Sequence, residues 1–128
     1  MRKILIVDDN PDDIEITRVV LEERGWDVQV EAYRHAEEAL ACLREAEDLP
    51  SLVLLDINIP GMGGMACLQQ IRADRRLKSI PVVMVTASSF EADEKKAYEA
   101  GANFFLYKEL DIDRYGENVD AALKRMMV

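Results

Sequence analysis

The chain has 128 residues, which suits one domain, and 49% of them are apolar, which excludes a disordered chain. Its 16 basic and 25 acidic residues leave a formal charge of −9. Binding to a nucleic-acid backbone or an anionic membrane draws on Lys and Arg, so neither is expected.

In chain order, Arg2 and Lys3 precede an apolar run over 4–7 that is too short for a signal-peptide core. Further apolar runs lie at 52–55, 82–85 and 104–106. Short runs of this kind read as strands buried on both faces, the mark of a parallel sheet. The stretch 28–32 alternates and suits an edge strand. Helical patterns lie between the strands. The first opens with Asn10 as N-cap, Pro11 at the first helical position and Asp12 and Asp13 in the first turn. It carries Ile14, Thr17, Val20 and Leu21 on one face and stops at Gly25. The second covers 36–47, with Ala39, Leu40 and Leu43 inward. The third covers 65–74, with Leu68 and Ile71 inward. The fourth covers 91–100 and presents a solvated charged face. The fifth covers 112–126, with Tyr115, Val119, Leu123 and Met126 on one stripe, despite Gly116 inside it. Strand and helix alternate five times, which predicts an α/β fold with right-handed parallel crossovers. Nothing in the sequence marks a linker, so 1–128 is expected to form one domain. No apolar run is long enough to span a bilayer, and a cytoplasmic protein is expected. Cys42 and Cys67 sit among apolar residues and read as buried free thiols, since there is no Cys-x-x-Cys pair.

Ligands of such sheets bind outside the carboxyl ends of the strands. Those ends carry Asp8 and Asp9, Asp56, Thr86 and Lys108. Neighbouring strands are about 4.8 Å apart, so residues at adjacent ends can touch one ion. Clustered carboxylates repel one another, and a hard divalent cation such as Mg²⁺ relieves that repulsion. A carboxylate can attack phosphorus and form an aspartyl phosphate. An ammonium and a hydroxyl nearby can neutralise and hold the phosphoryl oxygens.

The segments Ile-Val-Asp8-Asp9, Leu-Leu-Asp56-Ile-Asn-Ile-Pro60-Gly, Val-Thr86-Ala87 and Tyr-Lys108 resemble, in this order, the receiver-domain family of two-component signalling. Gly64, eight residues after Asp56, and Ala100-Gly101-Ala102 match as well. The resemblance covers essentially the whole chain. It implies a doubly wound, flavodoxin-like sheet of order 2-1-3-4-5 with helices on both faces. It implies Asp56 as phosphoacceptor. Asp9 and Asp56 would ligate Mg²⁺, with Asp8 acting through water and the Asn58 backbone carbonyl as a further ligand. Thr86 and Lys108 would sense the phosphoryl group, and Phe105 would be the switching aromatic. The donor would be a histidine kinase or a histidine phosphotransfer protein. The output would be a protein bound on the face of the fourth helix, fifth strand and fifth helix, where a homodimer could also form. The opening Val-Asp-Asp-Asn-Pro-Asp-Asp resembles small stand-alone bacterial regulators, some paired with phytochrome-type kinases.

Two positions depart from the family pattern. Glu109 follows Lys108 where the family usually has a cis proline, which puts the reach of Lys108 in question. Gly63 stands where an acidic residue often precedes the family glycine, and with Gly61 and Gly64 it suggests a mobile loop. Bland readings compete at several residues. Asp12 and Asp13 fit the helix dipole better than a metal site. His35 reads as a surface residue and Trp26 as packing. Two rival functions follow: a pseudo-receiver that binds partners without being phosphorylated, favoured only by Glu109, and a metal-dependent phosphohydrolase. The phosphohydrolase needs a second acid two residues after the nucleophile, and Asn58 stands there. Asn58 and Ser88 are the residues expected to influence phosphoryl lifetime.

Overall fold

The computed structural model describes residues 2–87 and 91–127; Ser88 therefore lies outside the described residues. The chain runs β1 (Arg2–Val7), α1 (Pro11–Glu23), β2 (Val28–Tyr33), α2 (Ala36–Glu45), β3 (Leu52–Asp56), α3 (Gly64–Ala73), β4 (Val82–Thr86), α4 (Glu91–Glu99), β5 (Phe104–Tyr107) and α5 (Ile112–Met127). The strands form one parallel sheet of order β2-β1-β3-β4-β5, the α/β flavodoxin-like order expected.

Two-residue alternation along the strands splits the core into two layers. Ile4, Ile6, Leu52, Leu54, Val83, Val85 and Leu106 face α1 and α5, meeting Val20, Leu21, Val119 and Leu123. Leu5, Val7, Val53, Leu55, Val82, Met84 and Phe105 face the other way, meeting Leu40 and Leu43 of α2, Leu68 and Ile71 of α3 and Ala97 of α4. The three central strands are buried at nearly every position, and for that reason they carry unbroken apolar runs. β2 is half-exposed, as an outer strand should be.

Helix ends explain the differences from the sequence-based boundaries. Asn10 Oδ1 accepts the backbone N–H groups of Asp12 (2.9 Å) and Asp13 (3.4 Å), fixing the start of α1. Its end is a Schellman motif: Gly25 at φ 77° donates to Glu22 O, and Trp26 N donates to Leu21 O. Trp26 does more than pack, since its Nε1 donates to Asp120 Oδ1 of α5 at 2.8 Å. α2 stops at Glu45, two residues before the predicted end. Ala46 is extended there, and the Arg76 guanidinium donates to the carbonyls of Leu43, Arg44, Ala46 and Glu47. Gly116 is buried where α5 crosses α1; a Cβ at this position would meet the tip of Arg24 at 3.1 Å and Val20 Cγ1 at 3.5 Å. Cys67 is buried as expected, but Cys42 is only half-buried, on the shoulder of the α2 stripe. Among the described residues, no helix is long and apolar enough to cross a membrane.

Candidate functional site

Register sets the positions of the edge residues. Val7 pairs with Leu55, so Asp8 and Asp56, the next residue on each chain, stand level on adjacent strands. Thr86 ends β4 opposite Tyr107 of β5, and Lys108 follows, its backbone N donating to Thr86 O at 2.7 Å. Asp8, Asp56 and Thr86 are all buried, which is costly for such groups unless they are paired.

They are paired symmetrically. Asp8 Oδ1 accepts the Asn10 N–H at 3.0 Å, and Asp56 Oδ1 accepts the Asn58 N–H at 2.9 Å. The other oxygens, Asp8 Oδ2 and Asp56 Oδ2, each lie 2.9 Å from Lys108 Nζ. Burial pulls the Lys108 ammonium down, but hydrogen bonds to Asp13, Asp56 and Asp8 together outweigh it and hold the lysine above its usual range. Burial pushes the Asp8 carboxyl above the usual carboxylate range, with the Asn10 N–H and Lys108 opposing the rise. Asn58 Nδ2 donates to Thr86 Oγ1 at 3.1 Å, tying the loop after β3 to the end of β4.

Carboxylate oxygens of Asp8, Asp9 and Asp56 lie within 4.8 Å of one another. Among the described residues, Lys108 is the one ammonium paired with this group, through Asp8, Asp56 and the nearby Asp13, while Asp9 adds a further carboxylate, so negative charge is left over in a partly buried place. An all-oxygen set with surplus negative charge fits a hard divalent cation.

The sequence-predicted residues Asp8, Asp9, Asp56, Asn58, Thr86 and Lys108 thus meet at one edge of the sheet. Phe105 does not point into this cluster. It is buried in the core layer beneath, edge-on to Tyr107 with ring centroids 5.2 Å apart. Glu109 leaves the reach of Lys108 intact, and every described peptide bond is trans. His35 is exposed at the start of α2, after the outer strand β2. Sequence reasoning missed Asp13, whose Oδ2 is 2.8 Å from Lys108 Nζ. The available signal was the N-cap at Asn10: it starts α1 directly above the edge, so the first helical turn overhangs the site. Arg34 was missed as well; its Nε donates to the Asp9 carbonyl at 3.2 Å.

The loop from β3 to α3 closes tightly under Asp56. A Cβ on Gly64 would lie 2.1 Å from the Asp56 carbonyl oxygen, which accounts for the glycine eight residues after Asp56.

Comparison with known proteins agrees with this geometry. Residues 4–120 match the response regulator receiver domain. The chain is 34% identical to the DNA-binding dual master transcriptional regulator RpaA of Synechocystis over 98% of its own length, but it spans only 50% of that relative. Its fold superposes on the phosphorylated cyanobacterial phytochrome response regulator RcpA with a TM-score of 0.89 and 31% identity, covering 98% of this chain and 94% of the other. It superposes on the Mn²⁺-bound form of response regulator Rcp1 with a TM-score of 0.88 and 28% identity, covering 100% and 96%. A sheet of this order, with this chemistry along its carboxyl edge and a match over residues 4–120, places the chain in the receiver-domain family of response regulators, which are signalling domains rather than enzymes in the ordinary sense.

Proposed function

We propose that residues 1–128 work as one phosphorylation switch. Asp56 takes a phosphoryl group from a histidine kinase or a histidine phosphotransfer protein, and a changed surface then binds a downstream protein. The observation that carries this reading is the setting of Asp56: a buried carboxylate, level with Asp8 and 2.9 Å from the Lys108 ammonium, at the ligand-binding edge of the sheet. An Asp56 oxygen attacks phosphorus. The new O–P bond forms as the bond from phosphorus to the donor imidazole breaks, and the imidazole leaves with that electron pair. Asn58 N–H holds the other Asp56 oxygen and so fixes the plane of the nucleophile. Lys108 neutralises a phosphoryl oxygen, and the Thr86 hydroxyl turns to donate to another. Asp8, Asp9, Asp56 and the Asn58 carbonyl would hold Mg²⁺, which when bound spreads positive charge over the phosphoryl oxygens. The Mn²⁺-bound Rcp1 and the phosphorylated RcpA support the metal and the modification.

The output face is that of α4, β5 and α5. Tyr98 is exposed there, Tyr107 donates to Glu94 Oε2 at 3.0 Å, and the Arg125 guanidinium lies 4.8 Å from the Phe104 ring centroid. Movement of Thr86 toward the phosphoryl group repacks Phe105 beneath it and alters this face, which could also pair two copies. The net charge of −9 disfavours nucleic acid as a partner of this region, and the setting proposed is the cytoplasm.

Intact-protein mass after incubation with acetyl phosphate and Mg²⁺ tests the reading. One added phosphoryl group is expected, absent in Asp56→Asn. Equal labelling of Asp56→Asn would remove Asp56 from its role.

A further inference from the structure

Lys108 Nζ makes contacts of nearly equal length to Asp8, Asp13 and Asp56, but the three partners differ in kind. Asp8 and Asp56 belong to the carboxylate cluster that can hold a cation; Asp13 does not. Asp13 projects from the first turn of α1, where the Asn10 cap fixes the backbone, and its side chain is 32% exposed against 8% and 6% for Asp8 and Asp56. The ammonium and a divalent cation therefore draw on the same two buried carboxylates, Asp8 and Asp56. An ammonium with no other anchor would compete for them at full strength.

We propose that Asp13 is a positioning residue that anchors the Lys108 ammonium from outside the cation cluster, so that Lys108 can release Asp8 and Asp56 to a divalent cation while staying beside Asp56. The geometry gives Asp13 this role because, among the described residues, it is the Lys108 partner whose backbone is held by a helix cap and whose carboxylate lies outside the cluster. Pivoting about Asp13 lets the lysine change partners without leaving the site. A carboxylate here also repays part of the cost of keeping the ammonium buried when Asp8 and Asp56 turn to the metal. The inference rests on the metal-binding reading above.

The test is a double-mutant cycle on Mn²⁺ affinity, measured by electron paramagnetic resonance of free Mn²⁺, with far-UV circular dichroism checking that each variant is folded. Asp13→Asn should weaken Mn²⁺ binding about three- to tenfold, and Asp13→Glu should restore most of it. In a Lys108→Met background, Asp13→Asn should change affinity by less than about twofold, because the competitor is gone. An equal loss in both backgrounds would mean that Asp13 acts only through its own field on the metal, and an unchanged affinity in Asp13→Asn would mean that it does not act at all; either overturns the proposal. Failure of the unsubstituted protein to bind Mn²⁺ overturns both this proposal and the metal reading, whereas binding without any effect of Asp13 overturns this proposal alone.

Discussion

Gly64 and Gly116 show how differently two buried glycines constrain one chain. A methyl group on Gly64 meets backbone, the Asp56 carbonyl at 2.1 Å, which cannot move without shifting the Asp56 carboxylate. Gly64→Ala is expected to cost about 3 kcal/mol in urea denaturation and to reduce labelling by acetyl phosphate together with stability. A methyl group on Gly116 meets the end of the flexible Arg24 side chain at 3.1 Å. Arg24 can shift, and alanine favours the helix, so Gly116→Ala is expected to gain about 0.5 kcal/mol in the same assay. Reversed signs for the pair would contradict the packing described. Cys67 supplies a third contrast. Burial pushes its thiol up to about 12 and covers it, while Cys42 is half-exposed on its helix. In the native protein a thiol reagent at neutral pH is expected to modify Cys42 first, and Cys67 only at the rate of unfolding. Equal rates for the two would show that the α3 face opens readily.

Between elements, the connections near α3 depend on one guanidinium. Arg72 donates to Gly101 O (2.9 Å), Lys78 O (3.1 Å), Ile80 O (2.8 Å) and Asn103 Oδ1 (2.8 Å), and so joins the segments leading into β4 and β5. Only a planar fork can serve acceptors spread this way, so Arg72→Lys is expected to lose most of the contribution despite keeping the charge. Arg72→Ala should cost about 2 kcal/mol in urea, and a midpoint unchanged in both variants would show the network to be idle. Arg72 also illustrates what the sequence leaves hidden. The strands could be read directly, because burial on both faces demands uninterrupted apolar runs such as 52–55. Asp8, Asp56, Thr86 and Lys108 could be read as well, because parallel strands bring residues distant in sequence to one edge. The contacts of Arg72, Arg76 and Asp13 could not. Each depends on which way a long or exposed side chain turns in three dimensions, and no period in the sequence encodes that. The early stop of α2 was missed for this reason: Arg76, thirty residues downstream of Ala46, takes up its last carbonyls.

Across the molecule, three groups hold their protons more tightly in the folded chain at high pH. Burial raises the thiol of Cys67 and the phenol of Tyr115, the latter opposed by its hydrogen bond with the Thr17 hydroxyl. Lys108 is also held above its usual range, its carboxylate partners outweighing burial. All three groups keep their protons longer in the folded chain than in the unfolded one. Their stabilisation is complete below the unfolded values, near 9, 10 and 10.5 for an ordinary thiol, phenol and ammonium, and is lost as pH rises through the higher folded values. The thermal midpoint is therefore expected to fall between pH 9 and 11, each group contributing up to about 1 kcal/mol per pH unit. A midpoint flat over that range would show that none of the three is perturbed. The tie between Trp26 and Asp120 has an optical consequence. Trp26 is the sole tryptophan of the chain, and it lies just before Val28, level with the start of β1, at the end of the sheet away from Asp56. Its indole emission should rise or fall when α1 separates from α5 and stay constant when the opposite edge alone is perturbed, so tryptophan fluorescence can follow unfolding of this protein while remaining blind to events around Asp56.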